Sequence, residues 1–254
     1  MSALFSLVGK TALITGATRG IGLAIAREYG RAGARIAISS ESAEGCALAL
    51  AQLAQEGIEA IALVADLRDA VAVQRLAERC LAHFGRLDAL VCNAGVAPHL
   101  GPLASADDAD WELTFTVNLR SAVWLTSALL PAMADGGGGS VVLMASIAGV
   151  RGNKSLGLYG LSKAGLAQLA RNLAVEWGPK GIRVNAIAPG LVRTDFAKAL
   201  LDDPERVRRA AEKTPLRRIG EPVDIAGLAV FLAAPASAYI TGQVIVADGG
   251  ETAC

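Results

Sequence analysis

Short apolar runs alternate with helical patterns along the whole chain. The runs of β-prone residues predict strands at 11–15, 35–39, 60–64, 88–92, 139–145, 182–187 and 243–247. Apolar positions at helical spacing predict helices near 20–32, 42–56, 69–84, 108–134, 157–178 and 222–233. Such alternation favours an α/β fold, in which helices cover both faces of a doubly wound parallel sheet of seven strands.

One stretch breaks this alternation. Residues 188–221 are long and irregular, and a loop of that length in a compact domain is usually a lid or a binding segment. No internal repeat or linker interrupts the rest of the chain, and the glycines at 136–139 are typical of a turn into the fifth strand. The sequence therefore predicts one domain, residues 1–254, with 188–221 as its substrate lid.

The first predicted strand is followed directly by a glycine-rich turn. Gly16, Gly20 and Gly22 have the spacing G-x-x-x-G-x-G, and a helical pattern begins there. In a dinucleotide site, such glycines permit a tight turn, approach of the backbone to a pyrophosphate and close packing of helix on strand. The pattern predicts a Rossmann-like nucleotide site, and a glycine turn without a ligand is the alternative.

Tyr159 and Lys163 are four residues apart, so on a helix they share one face with Cβ atoms about 6 Å apart. An ammonium at that distance favours the phenolate, and we expect Lys163 to lower the pKa of Tyr159 from about 10 toward neutral pH. A phenol tuned in this way exchanges a proton with an alcohol or a carbonyl oxygen. A surface tyrosine beside a solvated lysine is the alternative.

Motifs follow five of the predicted strands, the first and the third to sixth. They begin at Gly16, Asp66, Asn93, Ser146 and Pro189. In open α/β sheets, ligands bind outside the carboxyl ends of the strands, where the strand order reverses. We therefore expect these five motifs to share one site.

The motifs resemble those of the short-chain dehydrogenase/reductase family in its compact single-domain form. The matching blocks lie between Lys10 and Gly250 and are Thr15-Gly16-x-x-x-Gly20-Ile21-Gly22, Asp66-Leu67, Asn93-Ala94-Gly95, Asn118, Ser146, Tyr159-x-x-x-Lys163 and Pro189-Gly190-x-Val192-x-Thr194. The resemblance implies an enzyme that uses NAD or NADP to interconvert a secondary alcohol and a ketone. It also implies a homotetramer, for which the helices near 108–134 and 157–178 are the expected interface.

The resemblance assigns roles to four residues. Tyr159 is the general acid/base, and Lys163 lowers its pKa and hydrogen-bonds the nicotinamide ribose. Ser146 holds the substrate oxygen, and Asn118 anchors a water that links Lys163 to solvent. The alternatives are that Ser146 only caps the end of a strand and that Asn118 only accommodates a helix kink.

The resemblance also implies contacts along the cofactor. The expected set is Asp66 and Leu67 at the adenine, Asn93, Ala94 and Gly95 along the adenosine, the glycine loop with Thr18, Arg19 and Ile21, Thr194 near the phosphates, and Pro189, Gly190 and Val192 at the nicotinamide carboxamide. A largely structural asparagine turn and a proline that only ends a strand are the alternatives for two of these blocks.

The choice between NAD and NADP remains open in the sequence. Glu41, just after the second strand, can accept from a ribose hydroxyl and would repel a 2′-phosphate. Arg19 can instead reach that phosphate together with Ser40, which occupies the position where NAD enzymes of the family usually carry aspartate.

Composition excludes several other classes of function. The chain has 24 basic and 24 acidic residues, so neither a nucleic acid nor a membrane surface is an expected partner. Four scattered cysteines and two histidines, His83 and His99, lack the spacing of a metal site or a disulfide framework. His83 is expected to be exposed and His99 to be a solvated loop histidine, with a place beside the substrate as the alternative for His99. No apolar run reaches the roughly 18 residues of a membrane span, and we expect a soluble cytoplasmic enzyme without a metal.

Cations in the predicted lid leave a second enzymatic function open. They are Arg206, Arg208, Arg209, Lys213, Arg217 and Arg218. They form either a solvated helical face or a docking surface for an anionic substrate or acyl carrier, as in a 3-oxoacyl-carrier-protein reductase. A cofactor-binding regulatory protein without catalysis is the alternative from another class.

The substrate cannot be predicted from the sequence, because its determinants lie in loops. These are residues 96–104, 147–158 and 188–221. Arg151, Asn153 and Lys154 lie in the second loop and suggest a hydrophilic substrate, unless they only face water.

Overall fold

The computed structural model describes residues 3–253, whose strands form one parallel sheet. The strands are β1 (Thr11–Thr15), β2 (Arg35–Ser39), β3 (Ala60–Ala62), β4 (Ala89–Cys92), β5 (Gly139–Met144), β6 (Ile182–Pro189) and β7 (Val244–Ala247). Their order in the sheet is β3-β2-β1-β4-β5-β6-β7, and each neighbouring pair is parallel. The predicted Rossmann-like, seven-stranded α/β fold is confirmed.

The helices alternate with these strands. They are α1 (Gly20–Arg31), α2 (Ala43–Gln55), α3 (Ala70–Phe84), α4 (Asp108–Phe115), α5 (Ser121–Asp135), α6 (Gly157–Trp177), α7 (Lys198–Leu201), α8 (Pro204–Lys213) and α9 (Pro222–Ala233). A segment of π-helix, Thr116–Arg120, joins α4 to α5.

The strand order reverses at β1, which places a crevice above the centre of the sheet. Thr11 of β1 lies opposite Arg35 of β2, and Ala12 lies opposite Ala89 of β4. All residues of β1 and β4 are buried, as is typical of parallel strands covered on both faces. Ligands of such sheets bind in the crevice outside the carboxyl ends of the strands.

Two apolar clusters pack against the two faces of the sheet. Ile14 of β1 belongs to the cluster that contains Ile25 of α1, whereas its neighbour Leu13 belongs to the cluster that contains Leu129 of α5. Successive side chains of a strand point to opposite faces, so β1 contributes to both clusters. The core therefore continues through the sheet and fixes the position of the strand ends.

The predicted continuous helix 108–134 is wrong in its middle. α4 ends at Phe115, and the π-helix carries the buried Asn118 before α5 begins at Ser121. A π-helix adds a residue to the turn, which rotates a side chain relative to the regular helix. The side chain of Asn118 is hydrogen-bonded to the backbone of Val96, and this tertiary contact has no signature in the helical period.

The predicted irregular stretch 188–221 is more regular than expected. β6 continues to Pro189, which lies opposite Ala247 of β7, and the following chain forms α7 and α8. The side chain of Asp203 caps α8 by accepting from the backbone N–H groups of Glu205 and Arg206. α8 buries no side chain and consists mostly of charged residues, so it offers few of the apolar positions by which the other helices were predicted.

Three further observations concern the classes of function considered above. None of the described helices is long and apolar enough to cross a membrane. Within residues 3–253, no three His, Cys, Asp or Glu side chains are grouped so that they could hold a metal ion. Cys46, Cys80 and Cys92 are buried free thiols, and Cys254 lies outside the described residues.

Candidate active site

Helix α6 brings Tyr159 and Lys163 together at the carboxyl end of β5. The Nζ atom of Lys163 lies 5.4 Å from the centre of the Tyr159 ring. It also donates a hydrogen bond of 2.8 Å to the carbonyl oxygen of Met144, the last residue of β5. Lys163 is 2% exposed, so the pair forms an ordered unit rather than a tyrosine beside a solvated lysine.

Burial dominates the electrostatics of this pair. Desolvation lowers the pKa of Lys163 to about 8 and raises the pKa of Tyr159 to about 12. The prediction that Lys163 lowers the pKa of Tyr159 is therefore wrong for this arrangement. The ammonium gives a hydrogen bond to the Met144 carbonyl, and the interaction that lowers the pKa of Tyr159 comes from Ser146.

Ser146 follows β5 and faces Tyr159. Its hydroxyl forms a side-chain hydrogen bond with Tyr159, which opposes the effect of burial on the tyrosine pKa. The same oxygen accepts from the backbone N–H of Ala148 at 3.1 Å and caps the short 3₁₀ turn Ile147–Gly149. Ser146 thus both caps this turn and contacts Tyr159.

Asn118 connects the π-helix to two neighbouring segments. Its Oδ1 accepts from the Val96 N–H at 2.7 Å, and its Nδ2 donates to the Val96 carbonyl at 2.9 Å and to Ser162 Oγ at 3.0 Å. The Asn118 amide was expected to anchor a water. Its Oδ1 and Nδ2 atoms are both already hydrogen-bonded to protein. Asn118 holds the chain after β4 against α6, the helix that carries Tyr159.

Gly95 lies between these groups and allows their close approach. A Cβ atom at Gly95 would be 3.2 Å from Lys163 Nζ and 3.3 Å from Asn118 Oδ1. Both distances are tighter than ordinary van der Waals contact. The end of β4, the π-helix and α6 thus meet at one point.

The glycine loop between β1 and α1 is held by Asn93. The Nδ2 atom of Asn93 donates to the carbonyl oxygens of Thr15 and Gly16 at 3.0 and 2.9 Å. A Cβ atom at Gly16 would lie 2.8 Å from the Cα atom of Ala94, and the φ angle of Gly16 is 61°, so a side chain is excluded twice. The loop leaves a cradle of bare backbone at the start of α1.

The residues beside this cradle differ in what they contact. Arg19 directly precedes α1 and is exposed. Ile21 packs against the first apolar cluster, and Thr18 is half-buried. A Cβ atom at Gly20 would lie 3.2 Å from the methyl group of Thr194, so the lid segment closes over the loop.

A second set of predicted residues lies at the ends of β2 and β3. Ser40 Oγ donates to Glu41 Oε2 at 3.1 Å. Asp66 accepts from Arg68 through Nε at 2.9 Å and Nη2 at 2.6 Å, and this hydrogen-bonded pair lowers the pKa of Asp66. Leu67 packs against the second apolar cluster.

Arg68 is a further residue at this end of the crevice and was not predicted from the sequence. Its bond to Asp66 raises the pKa of Arg68, and the charge of Glu41 adds to this effect, so the guanidinium lies near both carboxylates. The sequence does show a cation directly after the Asp66-Leu67 block. Its closeness to Glu41, however, results from the pairing of β2 with β3, which the sequence does not show.

The other end of the crevice is formed by the chain after β6. The Gly190 N–H donates to the Ala247 carbonyl at 3.0 Å, and a Cβ atom at Gly190 would lie 2.8 Å from the Cα atom of Asp248. Val192 pairs with Gly220 in an isolated bridge. Phe196, another residue that the sequence analysis missed, lies with its ring 5.8 Å from that of Tyr159 and is 57% exposed.

Several candidate substrate contacts are already engaged with protein. Arg151 forms an ion pair with Glu251, and Asn153 Oδ1 accepts from the Ser155 and Leu156 N–H groups at 2.9 Å. His99 is not a solvated loop histidine, because its Nε2 lies 3.0 Å from Ser105 Oγ and its Nδ1 is buried.

Most lid cations are paired with acids on α8 or next to it. Arg208 contacts Glu205 and Glu212 at 2.6 and 2.7 Å, and Arg218 contacts Asp224 at 2.6 Å. Arg206 and Arg209 likewise contact acidic residues one turn away. This pairing is typical of a solvated helical face rather than of an anion-docking surface.

Comparisons with known proteins agree with this geometry. Residues 16–252 match the sequence model of a family described as enoyl-(acyl carrier protein) reductase. The chain is 39% identical over 244 residues to dehydrogenase/reductase SDR family member 4 of Oryctolagus cuniculus, an alignment that covers 96% of this chain and 94% of the relative.

Two solved structures are similar over almost their whole length. One is a gluconate 5-dehydrogenase from Burkholderia cenocepacia in complex with NADP and tartrate, at a TM-score of 0.94 and 32% identity, covering 99% of this chain and 98% of that one. The other is a 7α-hydroxysteroid dehydrogenase complexed with NADH and 7-oxo glycochenodeoxycholic acid, at a TM-score of 0.94 and 35% identity, covering 98% and 97%.

Proposed function

Because the chain belongs to the short-chain dehydrogenase/reductase family of NAD(P)-dependent oxidoreductases, we propose that it interconverts a secondary alcohol and a ketone. The observation that supports this reaction is the group formed by Tyr159, Ser146 and Lys163 at the carboxyl end of β5. It combines a proton carrier, a second hydroxyl and a buried cation within one crevice.

The crevice fits a dinucleotide in one specific respect. Gly16 and Gly20, both with positive φ angles, leave bare backbone in front of α1, which suits a pyrophosphate. We propose that the glycine loop holds the phosphates, that Asn93, Ala94 and Gly95 flank the adenosine, and that Pro189, Gly190 and Val192 flank the carboxamide. Thr194 closes over the phosphates, and Asp66 with Leu67 meets the adenine.

In the proposed reaction, a bound nicotinamide accepts or gives the hydride, and the chain provides the proton chemistry. The phenol of Tyr159 keeps its proton at neutral pH because its pKa is raised, so it can donate to a carbonyl oxygen. Ser146 hydrogen-bonds the same oxygen and stabilises its developing charge. Lys163, with its Nζ atom 5.4 Å from the centre of the Tyr159 ring, hydrogen-bonds the nicotinamide ribose in this proposal.

Asn118 has a positioning role in this proposal. Its hydrogen bonds to Val96 and Ser162 fix the chain beside Gly95 and the helix that carries Tyr159 and Lys163.

Replacing Tyr159 by Phe tests the proposal. We expect Tyr159→Phe to bind NAD(P)H normally, as measured by cofactor fluorescence, and to lose about 10²–10⁴-fold in kcat. Tyr239→Phe is the matched control, because Tyr239 is fully exposed and should show unchanged turnover. Turnover of the Tyr159 variant equal to that of the control would refute the assignment, and tight cofactor binding without turnover in the parent protein would favour a regulatory protein.

The substrate proposed first is a small hydroxy compound rather than an acyl thioester. Four of the six lid cations, Arg206, Arg208, Arg209 and Arg218, have acidic partners, and a carrier that docks by charge would need them free. Reduction of 3-oxoacyl thioesters remains the second candidate, favoured by the acyl-carrier description of the matched family. A KM that rises at least tenfold between 50 and 300 mM salt for an acyl-carrier substrate, but not for a simple ketone, would favour the second candidate.

We also propose one domain, a homotetramer and a cytoplasmic location. The buried free thiols of Cys46, Cys80 and Cys92 suit a reducing compartment. Trp124 and Trp177 lie partly buried on α5 and α6, where a second subunit would cover them. Light scattering on the purified protein measures the number of subunits.

A further inference from the structure

A cavity of about 210 Å³ opens at the amino ends of the central strands, on the opposite edge of the sheet from the candidate active site. Its charged lining residues are Lys10, Arg86, Asp88 and Arg183. One water needs about 15 Å³ of such a volume, so the space admits a ligand of several heavy atoms. Three cations and one carboxylate leave a formal charge of +2 on these residues.

The single carboxylate has no free capacity to neutralise the third cation. Asp88 is buried, and its Oδ1 accepts from Lys10 Nζ at 3.1 Å and from the Arg86 guanidinium. Its Oδ2 accepts from the backbone N–H and the hydroxyl of Thr11 at 3.0 and 3.2 Å. Lys10, Arg86 and the Thr11 N–H therefore occupy the Asp88 carboxylate, and the Thr11 hydroxyl is shared between it and the Arg86 carbonyl at 2.8 Å. The carboxylate thus leaves the charge of Arg183 without a partner.

Arg183 at the start of β6 is a half-buried cation with spare donors. Its Nη1 donates to Ser237 Oγ at 2.8 Å, and burial lowers the pKa of Arg183. A guanidinium offers five N–H donors in a fork that matches an oxyanion, and it stays charged at neutral pH. Within residues 3–253, no acidic side chain forms an ion pair with Arg183.

The negative end of α9 does not supply the missing partner. The Leu232 carbonyl, in its last turn, accepts from the hydroxyls of Ser140 and Ser237 at 2.7 and 3.0 Å. The Ala229 carbonyl accepts from the buried Tyr29 hydroxyl at 3.0 Å. These side chains satisfy carbonyl groups that would otherwise attract the guanidinium.

We propose that this cavity is a binding site for a phosphate-sized oxyanion, held by the Arg183 fork and by the outward donors of Lys10 and Arg86. Gly137, which lines the cavity, leaves room for it, because a Cβ atom there would meet nothing within 4 Å. A bound dianion would balance the charge and join the starts of β1, β4 and β6. The ligand is free phosphate or the phosphate of a small ester, since both present the same group.

Titration with inorganic phosphate at constant ionic strength tests this site. Saturating NAD(P)H is kept present so that phosphate cannot occupy the glycine loop, and phosphorus NMR and thermal unfolding report binding. We expect saturable binding in the parent protein and at least tenfold weaker binding in Arg183→Gln, which loses a charged hydrogen-bond fork. Arg171→Gln, at an exposed arginine of α6, is the matched control and should bind as the parent does.

Two results would overturn the proposal. One is a phosphate response in the parent protein no larger than that with chloride at equal ionic strength, and the other is equal binding by Arg183→Gln and Arg171→Gln. If Arg183→Gln does not fold, the phosphate titration is made with Lys10→Gln instead. Weaker phosphate binding by Lys10→Gln than by the parent protein then supports the site, and unchanged binding rejects it. A parallel titration with glycerol 3-phosphate distinguishes the two sources, because tighter binding than phosphate identifies an ester.

Discussion

At the scale of single residues, Lys163 links the candidate chemistry to pH. Burial lowers its pKa in the folded protein to about 8, below the ordinary 10.5 that applies on unfolding. Below pH 8, the ammonium is charged in both states, and its burial lowers the free energy of unfolding. Between the two pKa values, the unfolded chain binds the additional proton, so this contribution to stability rises with pH.

Lys163→Met should therefore be more stable than the parent protein at pH 7, with a difference that shrinks between pH 8 and pH 9. The expected change is at most about 1.4 kcal/mol per pH unit in the free energy of unfolding. Urea denaturation across this range gives the measurement. The measurement stays below pH 9, because above it the buried thiols act in the opposite direction, and the charge of Lys163 also acts on Cys92, whose pKa burial raises to about 12.

Lys154→Met is the control for this comparison. Lys154 is exposed. The free energies of unfolding of Lys154→Met and of the parent protein should therefore differ by the same amount at every pH. If the difference in unfolding free energy between Lys163→Met and the parent protein is also independent of pH, the Lys163 ammonium is not desolvated, contrary to what its burial implies.

Cofactor preference is a second property set by single side chains. Glu41 places a carboxylate beside Ser40, and Arg68 lies close enough for their charges to interact. Glu41→Gln removes a like-charge contact with a 2′-phosphate, so we expect the kcat/KM ratio of NADP over NAD to rise about tenfold.

Arg68→Gln should shift the same ratio in the opposite direction, because it removes a cation that can approach that phosphate. Glu44→Gln provides the control, since Glu44 is an exposed acid in the first turn of α2. If the kcat/KM ratio of NADP over NAD is unchanged in both the Glu41 and the Arg68 variant, the side chains at the ends of β2 and β3 do not determine the choice of cofactor.

At the scale of elements, the contact of α1 with the β1 turn depends on a missing side chain. A Cβ atom at Gly22 would overlap the Gly16 carbonyl oxygen and would lie 2.5 Å from Asn93 Nδ2. We expect Gly22→Ala to lower the free energy of unfolding by about 1–3 kcal/mol, the usual cost of overpacking, and to weaken NAD(P)H binding.

The matched substitution is Gly227→Ala in α9. A Cβ atom there would meet nothing within 4 Å, so the higher helix propensity of alanine should raise the free energy of unfolding by about 0.5–1 kcal/mol. Chemical denaturation and cofactor titration of both variants give the comparison. Equal changes of the same sign would show that close packing at Gly22 does not matter.

The same elements explain what the sequence could and could not predict. Strands such as β1 are buried on both faces and stand out as apolar runs, so their predicted positions agree closely with the structure. The π-helix around Asn118 depends on a hydrogen bond to Val96, 22 positions earlier in the chain, and α8 depends on caps and charge pairs. Arg68 and Phe196 acquire their significance only from contacts with Glu41 and Tyr159 across the fold.

At the scale of the whole molecule, both faces of the sheet depend on the same central strands. Tyr29 of α1 is fully buried and donates its hydroxyl to the Ala229 carbonyl of α9, so distant parts of the chain share one cluster. The ion pair between Arg151 and Glu251 joins the segment before α6 to the segment after β7. Each apolar cluster covers one face of β1, so the loss of either would expose part of the central strand that both share.

We therefore expect one cooperative unfolding transition. Far-UV circular dichroism reports all helices, whereas tryptophan fluorescence reports the face of the sheet where Trp124 and Trp177 pack. The two signals should coincide within error if the proposed single domain unfolds as a unit. NAD(P)H at about 100 times its Kd should stabilise the fold by about 2.7 kcal/mol and move both transitions together. A fluorescence transition that NAD(P)H leaves in place while the circular dichroism transition moves would divide the chain into two units, with the nucleotide held by only one.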